Sequence, residues 1–305
     1  MIVENQSNIK IHFAGCEEML RGNVILKAAQ HKYSLFTAFP FICDELKIKH
    51  GFPNYGFEYS DIVNLNQNNS IHSIQDSGLF SLMFGKFSGQ KNIQTLENWF
   101  VKLIEITKNN NYLGTCVEVD CQKLFGVDKA WEFREKMRLE LPKNRIINVF
   151  HKEDGQKGLD KLIEFSDYIA ISVPELRSLG QKNHTEKIAN YIKNKKPSID
   201  IHLLGCTENK LLKKLNFCSS ADSTSWVSIN RYGWFKYNNG KETVGIQKSK
   251  IKTEVLIDTY GEKVLKIFKD NNRPITESTV IYHCMYLMQV DFLIKQYSIY
   301  AGDQS

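Results

Sequence analysis

The sequence predicts an α/β fold: a (β/α)8 barrel of the TIM type followed by a C-terminal helical extension. Two observations carry this. Eight short runs rich in Ile, Val, Phe and Tyr alternate with stretches of helical periodicity between residues 9 and 221, the pattern that closes a parallel sheet inside a ring of helices. Three of those runs end at or just before an aspartate, and barrels gather their chemistry at such ends.

The runs, in order, are Ile9–Ala14, Tyr33–Ala38, Ser70–Gln75, Leu113–Val119, Arg145–Phe150, Tyr168–Ile171, Asp200–Leu204 and Phe217–Ala221. Several end in glycine, proline or a charged turn, as strands do. Helices are expected at Glu17–His31, Ile93–Lys108, Lys129–Leu139, Leu159–Phe165, His184–Asn194 and Glu208–Leu215. Trp99, Leu103 and Ile106 show the three-to-four spacing that gives a helix one apolar face. The stretch from Pro40 to Asn69 carries Pro40, Gly51, Pro53, Gly56 and several asparagines, and reads as a long loop. Beyond Trp226 the alternation stops. A Tyr- and Gly-rich bridge, Arg231–Gly245, leads to helices expected at Val255–Lys269 and Glu277–Tyr297, the last with Thr276 as its cap. Residues 1–228 are therefore expected to form the barrel, and 229–305 an extension packed on it.

Composition narrows the setting. Seven cysteines (16, 43, 116, 121, 206, 218 and 284) make no C-x-x-C pair, so reduced thiols are expected. Met1–Lys10 is polar, without the apolar core of a signal peptide. Val280–Ala301 is interrupted by His283, Gln289, Asp291 and Lys295, which favours a packed helix over a membrane span. The expectation is a cytoplasmic protein with no membrane association.

The formal net charge is +6, but it is unevenly spread. Residues 182–252 hold 14 Lys plus Arg against 5 Asp plus Glu, a surplus larger than that of the whole chain. This basic segment surrounds Asp222. It suits a polyanionic partner such as nucleic acid, while a solvated lysine-rich surface would have the same composition.

The three aspartates are Asp76 in Gln75-Asp76-Ser77-Gly78, Asp120 in Val117-Glu118-Val119-Asp120-Cys121, and Asp222 in Ser220-Ala221-Asp222-Ser223. On the strand map they follow the third, fourth and eighth strands, with His151, Ser172 and Gly205 at the ends of the fifth, sixth and seventh. Two carboxylates near one reacting centre can divide labour, since mutual repulsion separates their pKa values. One serves as nucleophile in a double displacement at an anomeric carbon while the other shuttles a proton. A third can accept the donor-rich edge of a heterocycle such as guanine. Each aspartate could equally cap the turn that follows it.

Asp76-Ser77-Gly78 with Phe80, the run ending at Asp120, Leu204-Gly205 and Ala221-Asp222-Ser223-Thr224-Ser225-Trp226 occur in the order seen in the tRNA-guanine transglycosylase superfamily. The chain resembles most its phage branch, the DpdA-type proteins that insert 7-deazaguanines into DNA, from the first strand through Trp226. The resemblance implies a DNA-guanine transglycosylase, with tRNA-guanine exchange as the near alternative and a catalytically silent nucleic-acid-binding barrel as an alternative of another class. It implies Asp222 as nucleophile, Asp76 as general acid and base, and Asp120 as reader of the base, with Phe80 and Leu204 stacking on it. His151, Ser172 and Gly205 complete the expected base pocket. The co-substrate would be a 7-deazaguanine such as preQ0 or a derivative, and the compartment the host cytoplasm if the gene is phage-borne.

The departures are informative. His151 stands where the tRNA enzymes carry glutamine, and Ile171-Ser172-Val173-Pro174-Glu175 replaces their glycine-rich segment. Downstream of Asp222 only His283 and Cys284 remain of a zinc ligand set. Two adjacent ligands cannot build a four-coordinate site, so no metal is expected and DNA is favoured over tRNA. An in-barrel carboxylate reaches only a flipped or single-stranded nucleotide. Lys210, Lys213, Lys214, Arg231 and Lys236 are candidate phosphate contacts, and Trp226 is a candidate stacking residue, each open to an ordinary surface or core role. A homodimer or a partner subunit is compatible with the sequence.

Overall fold

The computed structural model describes residues 9–42, 58–69, 71–84, 92–178, 180, 183–238 and 241–301. Its centre is a closed barrel of eight parallel strands in sequence order: β1 (Lys10–Ala14), β2 (Tyr33–Thr37), β3 (His72–Asp76), β4 (Thr115–Val117), β5 (Ile146–Phe150), β6 (Tyr168–Ser172), β7 (Asp200–Leu204) and β8 (Ser220–Ser223). Closure is made by β1 against β8, with His12 opposite Asp222. Every predicted run overlaps one strand, and the (β/α)8 barrel is the observed architecture.

Side-chain parity builds two cores. Ala14, Leu35, Ile74, Val117, Ile147, Val149, Tyr168 and Ala170 point inward and pack with Leu204. Residues of opposite parity, such as Ile11, Phe13, Phe36, Ile169, Ile201 and Leu203, join the larger core beneath the helices. That outer layer includes α1 (Tyr59–Asn68), α2 (Ile93–Asn109), α3 (Val127–Glu140), α4 (Gly155–Phe165), α5 (His184–Lys195) and α6 (Asn209–Lys214).

Two expectations need correction. The stretch read as a loop contains α1 and a short helix, Phe39–Ile42; residues 43–57 lie outside the described part. Tyr59, Ile62, Val63, Leu65 and Asn66 are buried, and Glu58 and Asp61 form a reciprocal capping box at the start of α1. The asparagines are accommodated because Asn66 bonds Ser34 across to β2. The bridge after Trp226 is likewise ordered: α7 (Ser228–Tyr232) leads to an antiparallel ribbon of β9 (Trp234–Asn238) and β10 (Thr243–Gln247). Its alternation is evident in Trp234 and Lys236 exposed with Phe235 buried between them.

The ribbon and α8 (Thr253–Asp270) and α9 (Glu277–Ala301) complete the chain. Gln289 of α9 accepts from the backbone of Ile229 at 3.1 Å and donates to Ser228 at 2.7 Å, while Phe235 and Tyr237 pack on Phe292. Among the described residues no helix is long and apolar enough to cross a membrane. The six described cysteines are buried and free.

Candidate active site

The C-terminal ends of the strands bring Asp120 and Asp222 within electrostatic reach of Asp76. Asp76 ends β3 on its inward face, and the turn after it is fixed from both sides. Its Oδ2 accepts the backbone N–H of Gly78 at 3.0 Å, and Trp99 of α2 donates its indole N–H to the carbonyl of Ser77 at 2.9 Å. Gly78 has φ +75°, and a Cβ there would lie 2.9 Å from Phe39, so the turn requires glycine. Burial, then the charges of Asp120 and Asp222, push the Asp76 carboxyl up to about 7, against the opposing pull of the Gly78 amide and the Thr37 hydroxyl.

Asp120 lies three residues beyond the end of β4, in the loop before the short helix Gln122–Phe125. What positions it is a buried ionic group on the outer side of the sheet. Glu118 accepts Arg134 Nε at 3.0 Å and the backbone N–H of Val149 at 3.0 Å. Arg134 also reaches Asp154 at 3.1 Å and the carbonyl of Val149 at 2.9 Å. Asp154 in turn accepts the backbone N–H of His151 at 3.0 Å. This arginine therefore ties the backbone of the Asp120 loop to that of His151.

His151 is the residue whose expected role changes most. Nε2 lies 2.9 Å from Asp120 Oδ2 and Nδ1 2.7 Å from Glu175 Oε2. Both ring nitrogens are engaged, so the ring offers no edge to a base; its place is behind Asp120. Burial lowers its pKa, but the hydrogen bonds and charges of Asp120 and Glu175 win and push it up to about 10, an imidazolium at neutral pH. Glu175 is correspondingly held below the ordinary range, His151 outweighing its burial.

Asp222 is buried, and its Oδ1 is engaged twice: by the backbone N–H of Gly205 at 2.7 Å and by His202 Nε2 at 3.1 Å. Gly205 has φ +64°, and a Cβ there would fall 2.9 Å from Pro174 Cγ. Leu204 and Ser172 are partly buried at the ends of β7 and β6, on the inward parity of the barrel. Phe80 is 74% exposed on the short helix that follows Asp76.

Of the expected nucleic-acid contacts, Lys210, Lys213, Lys214, Arg231 and Lys236 are exposed. Lys214 pairs with Glu186 at 2.9 Å, and Lys236 sits 5.5 Å from the ring centroid of the exposed Trp234. Trp226 is not a surface residue. It is fully buried, donates Nε1–H to the carbonyl of Ala14 at 2.7 Å and packs on Tyr286, so it fastens the extension to the barrel and cannot stack on a base.

Among the described residues, His151, Glu153 and Glu175 bring ligand atoms within 4.8 Å of one another. An imidazolium bonded through both nitrogens has no lone pair for a metal. His283 and Cys284 are buried in α9, with His283 Nδ1 bonded to the carbonyl of Thr279.

Sequence reading missed His202, Glu175 and Thr37. Inward parity was a usable signal for the first: His202 stands two residues before Leu204 on β7, so it faces the barrel interior.

No protein-family model and no curated protein matches the chain. One solved structure that it resembles is a psychrophilic glycoside hydrolase family 10 endo-beta-1,4-xylanase, at 11% identity and a TM-score of 0.39, over 71% of this chain and 86% of that one. A likeness of that size carries no inference about activity.

Proposed function

We propose that the chain is a DNA-guanine transglycosylase that exchanges guanine for a 7-deazaguanine base through a covalent glycosyl-aspartate. The observation that carries this reading is the unequal pair Asp76 and Asp222 at one mouth. Asp222 accepts two hydrogen bonds on one oxygen, the environment of a carboxylate acting as nucleophile. Asp76 is raised to about 7, where a carboxyl both gives and takes a proton near neutrality.

In the first displacement an Asp222 oxygen forms a bond to C1′ as the bond from C1′ to the guanine nitrogen breaks, and Asp76 gives its proton to the departing base. In the second, Asp76 takes a proton from the incoming 7-deazaguanine, whose nitrogen bonds to C1′ and releases the Asp222 carboxylate. Configuration is retained, and no redox or nucleotide cofactor is consumed. Asp120 takes the amino edge of the heterocycle, held in place by His151. Phe80 and Leu204 take its two faces, with Ser172 and Gly205 lining the edge. Lys210, Lys213, Lys214, Arg231 and Lys236 supply the contacts to phosphate.

The test is incorporation of radiolabelled guanine or a 7-deazaguanine into duplex DNA, single-stranded DNA and tRNA. Label in DNA, lost in Asp222→Ala, with a denaturation-resistant adduct to wild-type protein, is the expected result. Label in tRNA alone replaces DNA by tRNA. Binding of polynucleotide without label in any polymer leaves a non-catalytic binding barrel.

A further inference from the structure

The interior of the barrel holds a polar file that the strand-end chemistry does not account for. His202 is fully buried. Its Nε2 meets Asp222 Oδ1 at 3.1 Å and its Nδ1 meets Ser220 Oγ at 2.5 Å. Ser220 Oγ bonds in turn to the hydroxyl of Tyr168. Tyr168 stands at the first position of β6, and lines a cavity of about 450 Å³ at the opposite end of the barrel, together with Lys10, His12, His72 and Arg145. Arg145 lies over its ring at 4.4 Å. The file thus runs from the base of the barrel to the candidate nucleophile.

Its direction follows from donor and acceptor chemistry. Gly205 N–H can only donate, so Oδ1 of Asp222 is an acceptor. His202 Nε2 meets that same oxygen, which places a proton on Nε2. In the singly protonated ring Nδ1 is then bare and accepts from the Ser220 hydroxyl. Ser220 then accepts from Tyr168, whose phenol burial pushes up to about 12 and so keeps as a donor. Every hydrogen in the file points towards Asp222. Nearby, His12 Nδ1 donates to the Lys10 carbonyl at 3.2 Å, and its ring lies edge-on 6.2 Å from that of His202.

We propose that Tyr168, Ser220 and His202 form an ordered hydrogen-bond file that aims the nucleophile: His202 is a positioning residue whose Nε2–H, with the Gly205 amide, commits Oδ1 of Asp222 to the protein and leaves Oδ2 as the attacking atom. The part played by Oδ2 rests on the transglycosylase reading; the order of the file does not. Ser220 and Tyr168 act one and two bonds further back, by fixing the histidine tautomer.

Two measurements on the full chain test this separately. Long-range proton–nitrogen correlation spectra of protein labelled with 15N-histidine should show His202 with its proton on Nε2 and a bare Nδ1, and Ser220→Ala should make the ring populate both tautomers. A proton on Nδ1 in the wild type overturns the file. In the exchange assay, His202→Phe, which keeps a ring and removes the donor, should lower kcat by about 10- to 100-fold with KM unchanged, and His202→Gln, which restores an N–H, should recover most of it. Equal kcat in wild type and a folded His202→Phe overturns the positioning role; should that variant fail to fold, Ser220→Ala carries the kinetic test, with a smaller loss in kcat expected and an unchanged kcat refuting it. Wild-type protein inactive on every polymer defeats the transglycosylase reading, and the spectra still decide the file.

Discussion

Asp120 and His151 are joined by a hydrogen bond of 2.9 Å between Oδ2 and Nε2, and the histidine's other nitrogen is bonded to Glu175. Two carboxylates share one imidazolium. Replacing His151 by leucine leaves Asp120 and Glu175 facing each other with no cation between them, which should cost roughly 2–4 kcal/mol of stability by denaturant unfolding at pH 7. His151 has a folded pKa of about 10, above its unfolded value of 6.5. Its stabilisation is therefore complete below pH 6.5 and is lost as the pH rises through about 10, so the gap between wild type and variant should close in that window. Glu175→Gln in the leucine background should recover part of the loss.

Asp76 has the opposite consequence for a carboxylate. Its pKa is raised from 3.8 to about 7, so its contribution to folding is most favourable below pH 3.8 and is lost as the pH rises through 7. Asp76→Asn should be more stable than the wild type at pH 8, with the difference growing by about 2.5 kcal/mol between pH 5 and pH 8. Urea titrations at the two pH values measure it. In the exchange assay the same variant should be inactive, and the wild-type kcat should be greatest near pH 7, where the acid and base forms of Asp76 are both populated.

Gly205 holds Asp222 through its backbone. Gly205→Ala forces a Cβ into Pro174 at a φ of +64° and displaces the N–H that Asp222 accepts. A stability loss of about 1–2 kcal/mol and a fall in kcat of at least about tenfold are expected, read by thermal unfolding and by base exchange.

Trp226 anchors the extension. Trp226→Phe removes the donor to the Ala14 carbonyl and leaves that buried acceptor unsatisfied, for a loss of about 1–3 kcal/mol. Trp226→Ala, which also opens a cavity, should cost about 3–5 kcal/mol. Neither variant should change the salt dependence of polynucleotide binding. Lys210→Ala should instead weaken binding across sequences and lower the slope of log affinity against log salt by about one, measured by fluorescence anisotropy with single-stranded DNA.

The sequence by itself determined the barrel, because alternating strand and helix periods leave few ways to bury both apolar faces, and each of the eight runs overlaps a strand of the closed sheet. It also determined that Asp76 and Asp222 stand at strand ends, since β3 contains the first and β8 the second near their C-terminal limits. The ribbon β9–β10 and helix α1 were hidden, the former by its glycines and the latter by asparagines, of which Asn66 finds one partner in its own helix and another across the fold in Ser34. Only the tertiary structure decided which side chains serve the aspartates. His202 meets Asp222 from a neighbouring strand, 20 residues away, and Glu175 meets His151 from the short helix Val173–Ser178, 24 residues on. Such contacts depend on strand register and side-chain direction around a closed ring. That geometry exists only once the barrel has closed, and it is what surrounds three carboxylates of one kind with different partners.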